Sequence, residues 1–84
     1  MSYEVELLPV AAREIRKLAP EAQRRVQAVI ELLRENPRPP AARKLTGRVE
    51  WRVRTGDYRV LYRIEDDRLL IVVVSAGHRR EVYR

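Results

Sequence analysis

Residues 69–76, with the sequence LLIVVVSA, form the longest apolar run of the chain. The run is rich in β-branched side chains, and it is far shorter than the roughly 20 residues that a membrane-spanning helix needs. A continuous apolar strand is typical of a strand that is buried on both faces or central in a sheet. The rest of the sequence must therefore supply partner strands and a layer that covers them.

Three other segments show the alternation of a strand. Apolar and polar residues alternate at 3–8, 48–54 and 57–64, and the central run extends over 68–76. Thr55-Gly56 and residues 65–67 are short enough to be hairpin turns. The last three strands are therefore predicted to form an antiparallel meander.

Two amphipathic helices are predicted between the first strand and the meander. Pro9 and Pro20 suit the first turn of a helix, and the second helix should end near Asn36, before a proline-rich connection at 36–47. The order is β-α-α-β-β-β. We expect one α+β domain over residues 1–84, with a helical hairpin packed on one face of a small, twisted, mainly antiparallel sheet.

The composition excludes several classes of site. The chain has no cysteine and one histidine, so a disulfide framework and a thiolate metal site are excluded, and we expect neither a metal nor a cofactor. The N-terminal sequence MSYEVELLP lacks the charged head and cleavage signal of an export peptide. These features predict a cytoplasmic protein without a membrane segment.

The basic charge is concentrated in one quarter of the sequence. The net charge is +6, and 16 of the 18 basic residues are arginine. A GC-rich genome or thermal adaptation would explain an arginine excess, but residues 43–63 alone hold seven basic and two acidic residues. Such clustering is typical of a protein with a polyanionic partner, since guanidinium groups bind phosphate in a bidentate manner.

Strand alternation predicts where these arginines point. If the apolar sets that contain Trp51 and Tyr58 face the helices, the opposite face receives Arg52, Arg54, Arg59 and Arg63. Like charges on adjacent strands repel, so the cluster is better explained as a phosphate cradle than as a stabilising device. The alternative is that the arginines are solvated or paired with Glu50 and Asp57.

The last strand ends in a second cluster of charge. Gly77 is followed by His78, Arg79, Arg80 and Tyr83. We expect these side chains to lie at a sheet edge close to the arginine face and to complete its site.

Two motifs at this spacing, GDYRVLYRI at 56–64 and GHRREVY at 77–83, resemble the RelE/ParE superfamily of bacterial and archaeal toxins. The resemblance covers the whole chain and implies the same β-α-α-β-β-β fold. It implies a toxin of RelE type, a ribosome-dependent endonuclease that cleaves messenger RNA, or a toxin of ParE type, which poisons DNA gyrase. Both types are neutralised by a partner antitoxin.

The resemblance to the RNA-cleaving branch implies a set of catalytic residues: Arg52, Arg54, Arg59, Arg79 and Tyr83. Gyrase poisons generally lack this set, so it favours RNA cleavage. RelE has lysines at the positions of Arg52, Arg54 and His78, and it continues into a C-terminal helix where this chain stops at Arg84.

The implied chemistry is metal-free attack of a ribose 2′-hydroxyl on the adjacent phosphate. Arg59 and Arg79 would clamp the phosphate, and Tyr83 would stack on a base. Arginine stays protonated, so Glu50 or His78 is the candidate general base. Other cations would bind the RNA, namely Lys44, Arg48, Arg63 and Arg80.

Three functions therefore stay open: an endoribonuclease toxin, a non-enzymatic gyrase inhibitor, and an inactive relic that binds an antitoxin. The first has a RelB-like antitoxin and the ribosomal A site with its messenger RNA as expected partners. The retained Arg59, Arg79 and Tyr83 favour it.

Overall fold

The computed structural model describes residues 2–78 of the 84-residue chain. The elements in chain order are β1 (Glu4–Leu7), α1 (Pro9–Arg16), α2 (Pro20–Glu35), β2 (Arg43–Lys44), β3 (Trp51–Thr55), β4 (Tyr58–Glu65), a 3-10 turn (Asp66–Arg68) and β5 (Leu70–His78). The strands lie in the order β1-β5-β4-β3-β2, and β1 pairs with β5 in parallel while the other pairs are antiparallel. The predicted α+β fold is confirmed, with the short β2 as an addition.

Both helices begin at the prolines that the sequence indicates. Pro9 and Pro20 occupy the first turns of α1 and α2, where a missing N–H leaves no hydrogen bond unmade. Leu8 and Ala19, which precede them, are extended, as the proline ring requires. Neither helix has the length and apolar character to cross a membrane, and no other α-helix occurs in residues 2–78.

The core lies between the helices and one face of the sheet. Ala11 and Ile15 of α1 and Val26, Ile30 and Leu33 of α2 pack with the buried strand residues Val53, Val60, Tyr62, Ile71, Val73 and Ala76. Trp51 and Tyr58 pack against this cluster, as their register predicted. Burial of this apolar area is the main force that holds the helices on the sheet.

Tyr62 fixes the proline-rich connection to the core. Its buried hydroxyl donates a hydrogen bond to the carbonyl of Pro37 at 2.6 Å. Burial raises the pKa of Tyr62 to about 12, so the phenol stays protonated and keeps its donor at neutral pH.

A β-bulge in β5 reverses the faces of its side chains. Leu61 lies opposite Ser75 and Tyr62 lies opposite Val73, so Val74 is an extra residue between the two pairs. Ile71 and Val73 reach the core before the bulge, and Ala76 reaches it after the bulge. One inserted residue changes the alternation by one step, so even-numbered residues face the helices beyond Val74.

Glu14 of α1 holds the edge of β5 just beyond the end of β1. β1 ends at Leu7, which lies opposite Val73, so the following residues of β5 have no partner strand on that side. Glu14 Oε1 accepts hydrogen bonds from Ser75 Oγ at 2.9 Å and from the Ala76 N–H at 3.1 Å. The carboxylate thus satisfies an edge amide that would otherwise lack a protein partner.

Three side chains, Tyr3, Arg38 and Asp66, form a hydrogen-bonded clamp at the end of the sheet where β4 turns into β5. Asp66, in the turn between β4 and β5, accepts hydrogen bonds from Tyr3 Oη at 2.7 Å and from two nitrogens of Arg38 at 3.3 and 2.8 Å. The Arg38 guanidinium also lies 5.5 Å from the centre of the Trp51 ring, within range of a cation–π contact. The hydrogen bonds from Arg38 and then Tyr3 lower the pKa of Asp66.

Candidate nucleic-acid interface

Arg52, Arg54, Arg59 and Arg63 share the face of the sheet that is opposite to the helices, and this set is called the arginine face below. The strand register places Arg54 beside Arg59 and Gly77, and it places Arg52 beside Leu61 and Ser75. Arg63 lies beside Val72, which lies beside Glu6 of β1. The face that alternation predicted for these arginines is therefore the one they occupy.

Like charges lie directly opposite each other on this face. Arg54 pairs with Arg59, and Arg43 of β2 pairs with Arg52. Neighbouring strands are about 5 Å apart, and like charges in such positions destabilise a sheet. The register thus concentrates positive charge on this face of the sheet.

The arginine face has an apolar floor. Leu61 and Val72 are each only 3% exposed although they lie on the side away from the helices. The Nε of Arg63 is buried there, and it has no hydrogen-bond acceptor among the described residues. A buried donor without an acceptor destabilises the fold.

Arg48 and Glu50 form an ion pair in the loop that leads into β3. Arg48 Nε lies 3.0 Å from Glu50 Oε1, and the Glu50 side chain is 17% exposed. Lys44 lies opposite Trp51, on the helix side of the register, and its Nζ donates to the carbonyl of Arg48 at 2.6 Å. Arg48 and Glu50 thus pair with each other, whereas Lys44 stabilises the loop itself.

His78 does not lie on the arginine face. It is paired with Tyr58, and the two rings make an edge contact at 5.9 Å on the helix side of the sheet. Together with Glu14, Lys17 and Leu18, they line a cavity of about 520 Å³. The expectation that His78 lies close to the arginine face is wrong, because the bulge at Val74 turns His78 to the other side.

The other predicted residues of the C-terminal cluster, Arg79, Arg80 and Tyr83, lie outside the described residues. Within residues 2–78 there is no group of three histidine, cysteine, aspartate or glutamate side chains that is able to hold a metal ion.

Sequence reasoning missed two contributors to this surface. Arg43 joins the face through β2, a strand of two residues that is too short to show alternation, and its guanidinium donates to the carbonyls of Pro40 and Ala42. The bulge places Ser75 on the arginine side of the sheet, opposite Leu61. The apolar run gives no sign of that bulge.

Comparison with known proteins decides the family. The model of the family described as "ParE toxin of type II toxin-antitoxin system, parDE" matches residues 5–83. Toxin RelG of Mycobacterium tuberculosis is 37% identical over 91 residues, covering 100% of this chain and 99% of RelG. The chain belongs to the RelE/ParE family, the toxins of type II toxin–antitoxin systems.

Solved structures of RelE toxins have the same fold as this RelE/ParE toxin. The archaeal RelE–RelB complex from Pyrococcus horikoshii OT3 aligns with a TM-score of 0.83 at 25% identity, covering 98% of this chain and 100% of that one. The intact E. coli RelBE complex aligns with a TM-score of 0.82 at 25% identity, covering 92% and 96%. The RelBE2 complex of Mycobacterium tuberculosis aligns with a TM-score of 0.78 at 29% identity, covering 94% and 100%.

Proposed function

We propose that this toxin is an endoribonuclease that cleaves messenger RNA in the ribosomal A site and so stops translation in the cytoplasm. The observation that supports this proposal is the crowding of Arg52, Arg54, Arg59 and Arg63 on one face of the sheet. Such a face suits a chain of phosphates, and RNA is the polyanion that a ribosome-bound toxin meets.

The arginine face would stabilise the transition state of cleavage. The 2′-oxygen forms a bond to the adjacent phosphorus while the bond from phosphorus to the 5′-oxygen breaks. The products are a 2′,3′-cyclic phosphate and a 5′-hydroxyl. Negative charge builds on the phosphoryl oxygens, and a preorganised donor such as Arg59 typically contributes about 3 to 4 kcal/mol to this step. Arg79 would join this clamp, and Tyr83 would stack on a base, as the family resemblance implies.

The proton of the 2′-hydroxyl needs an acceptor. Arg52 and Arg54 cannot serve, because guanidinium stays protonated at any working pH. His78 lies on the helix side, which leaves Glu50 as the candidate of the two. Glu50 would have to loosen its ion pair with Arg48 when RNA binds, and phosphate competing for Arg48 would promote that. The leaving 5′-oxygen takes up a proton from solvent.

A RelB-like antitoxin is the proposed neutralising partner. Three similar structures are complexes of a RelE toxin with a RelB antitoxin. The net charge of +6 on this chain calls for an acidic partner that covers the arginine face.

Inhibition of DNA gyrase is the second candidate function. The family model that matches this chain is named for ParE. The family resemblance implies that toxins of ParE type poison gyrase, and this is the basis of the hypothesis. A gyrase inhibitor would bind its target without cutting RNA.

Primer extension on messenger RNA from translating ribosomes, with and without the purified toxin, separates the two functions. We expect cuts inside codons that appear only when both toxin and ribosomes are present. Intact RNA together with cleaved DNA trapped on gyrase would replace this proposal with the second. Intact RNA and free gyrase would leave the inactive relic as the remaining function.

A further inference from the structure

A groove of about 500 Å³ opens on the arginine side of the sheet. Leu61 and Val74 line it, and Pro9 and Val10 at the start of α1 form one wall. Ser75 and Arg48 supply its polar groups. The volume and the mainly apolar lining are typical of sites for small organic groups.

The groove is continuous with the arginine face. Leu61 lies directly opposite Arg52 on β3 and between Arg59 and Arg63 along β4. A strand of RNA whose phosphate is held by these arginines would therefore pass the mouth of the groove. An apolar peptide would fill the volume equally well, but it would gain nothing from the cations around it.

Ser75 gives the groove a chemical preference. Its hydroxyl donates to Glu14 Oε1 at 2.9 Å, so the proton is engaged and the oxygen remains as an acceptor. Adenine, cytosine and guanine carry an exocyclic amino group that donates to such an oxygen, and uracil has none.

We propose that this groove is a base-binding subsite for a nucleotide next to the cleaved one. The base packs on Val74 and Val10 above the buried Leu61, its amino group donates to Ser75, and Arg48 at the rim contacts a phosphate. This inference rests on the proposed cleavage of RNA. It adds a preference for amino-bearing bases at one position.

Methyl NMR spectra of the full chain during titration with mononucleotides test the subsite without ribosomes. We expect saturable shifts of the Leu61 and Val74 methyl signals with AMP and CMP. UMP should bind about two- to tenfold more weakly, the value of one neutral hydrogen bond. Ribose 5-phosphate, which has no base, should not move these signals. Ser75→Ala should make CMP and UMP bind alike.

Val10→Glu and Leu32→Glu form a matched pair of variants. Val10 is 49% exposed and lines the groove, whereas Leu32 is 66% exposed on α2 and lies outside it. Glutamate in the first turn of α1 suits the helix dipole, so the fold should tolerate it. Val10→Glu should weaken AMP binding by repelling the phosphate, and Leu32→Glu should leave it unchanged.

The inference is overturned if ribose 5-phosphate moves the methyl signals as AMP does, or if both variants bind AMP equally. Either result would mean that no base binds in the groove. Base-dependent shifts with uncut messenger RNA on ribosomes would refute the cleavage proposal and leave the subsite in place. Cleavage of messenger RNA without base-dependent shifts would refute the subsite and leave the cleavage proposal in place.

Discussion

At the scale of single residues, Arg59 is the cation whose removal best tests phosphate stabilisation. It is half-buried, lies directly opposite Arg54 and faces away from the core. Arg59→Ala should lower the single-turnover rate on programmed ribosomes by about 10²- to 10³-fold, the loss typical of one preorganised donor. Circular dichroism melts should show an intact fold.

Arg24→Ala is the matched control for this experiment, since it removes the same charge from an exposed position on α2. Its rate should equal that of the unmodified toxin. Equal losses in both variants would mean that net charge, rather than placement on the arginine face, determines the rate.

Substitution distinguishes Glu50 from His78 as the proton acceptor. If Glu50 accepts the 2′-hydroxyl proton, Glu50→Gln should lower the single-turnover rate about 10²- to 10⁴-fold, because an amide cannot take up the proton. His78→Gln, with its side chain on the helix side, should leave the rate unchanged. A loss of rate in His78→Gln but not in Glu50→Gln would refute the assignment.

The residues of the arginine face were predictable because alternation is a local property. Each of Arg52, Arg54, Arg59 and Arg63 follows from the apolar side chains beside it in its own strand. His78 was not predictable in this way. Its side depends on Val74, and three consecutive valines at 72–74 give no sign of which one is inserted.

At the scale of elements, the helices and the long strands followed from their periodicity, whereas β2 did not. Arg43–Lys44 owes its strand geometry to pairing with β3, which is a tertiary contact without a local signal. β5 begins at Leu70, whereas the sequence predicted a strand from residue 68. Asp66–Arg68 form a 3-10 turn, and Leu69 takes a left-handed conformation with φ of 49°. A left-handed leucine is unusual and cannot be expected from its residue type.

The hydrogen bonds from Glu14 should govern the stability of the end of β5. Glu14→Ala would leave the Ala76 N–H without its acceptor, because β1 ends before this point. Amide exchange at Ala76 should become on the order of tenfold to a hundredfold faster, while amides in the middle of β4 keep their protection. Hydrogen exchange followed by NMR measures this.

Glu21→Ala serves as the control, since Glu21 forms an exposed ion pair with Arg25 within α2. It should leave exchange at Ala76 unchanged. Uniform acceleration of all amides in Glu14→Ala would instead mean that the carboxylate supports global stability.

At the scale of the whole molecule, one end of the sheet carries part of the arginine face and the other end carries the clamp. Arg54, Arg59 and Gly77 lie together at one end, while Tyr3, Arg38 and Asp66 form the clamp at the other. The clamp joins the N-terminal segment, the proline-rich connection and the turn between β4 and β5. Changes in the clamp should therefore alter stability without altering chemistry on the arginine face.

Asp66→Asn tests this separation. The pKa of Asp66 is lowered from 3.8 by its hydrogen bonds to Arg38 and Tyr3. A lowered folded-state pKa means that ionised Asp66 stabilises the fold above about pH 4, and that this contribution is lost as pH falls through the folded-state pKa. Asp66→Asn should thus melt below the unmodified toxin at pH 7, and the two melting temperatures should converge towards pH 2. Asp67→Asn removes the same charge from the neighbouring residue and should melt close to the unmodified toxin at pH 7. Both variants should retain full cleavage activity. A melting-temperature difference that stays constant from pH 7 to pH 2 would contradict the assigned role of the Asp66 carboxylate.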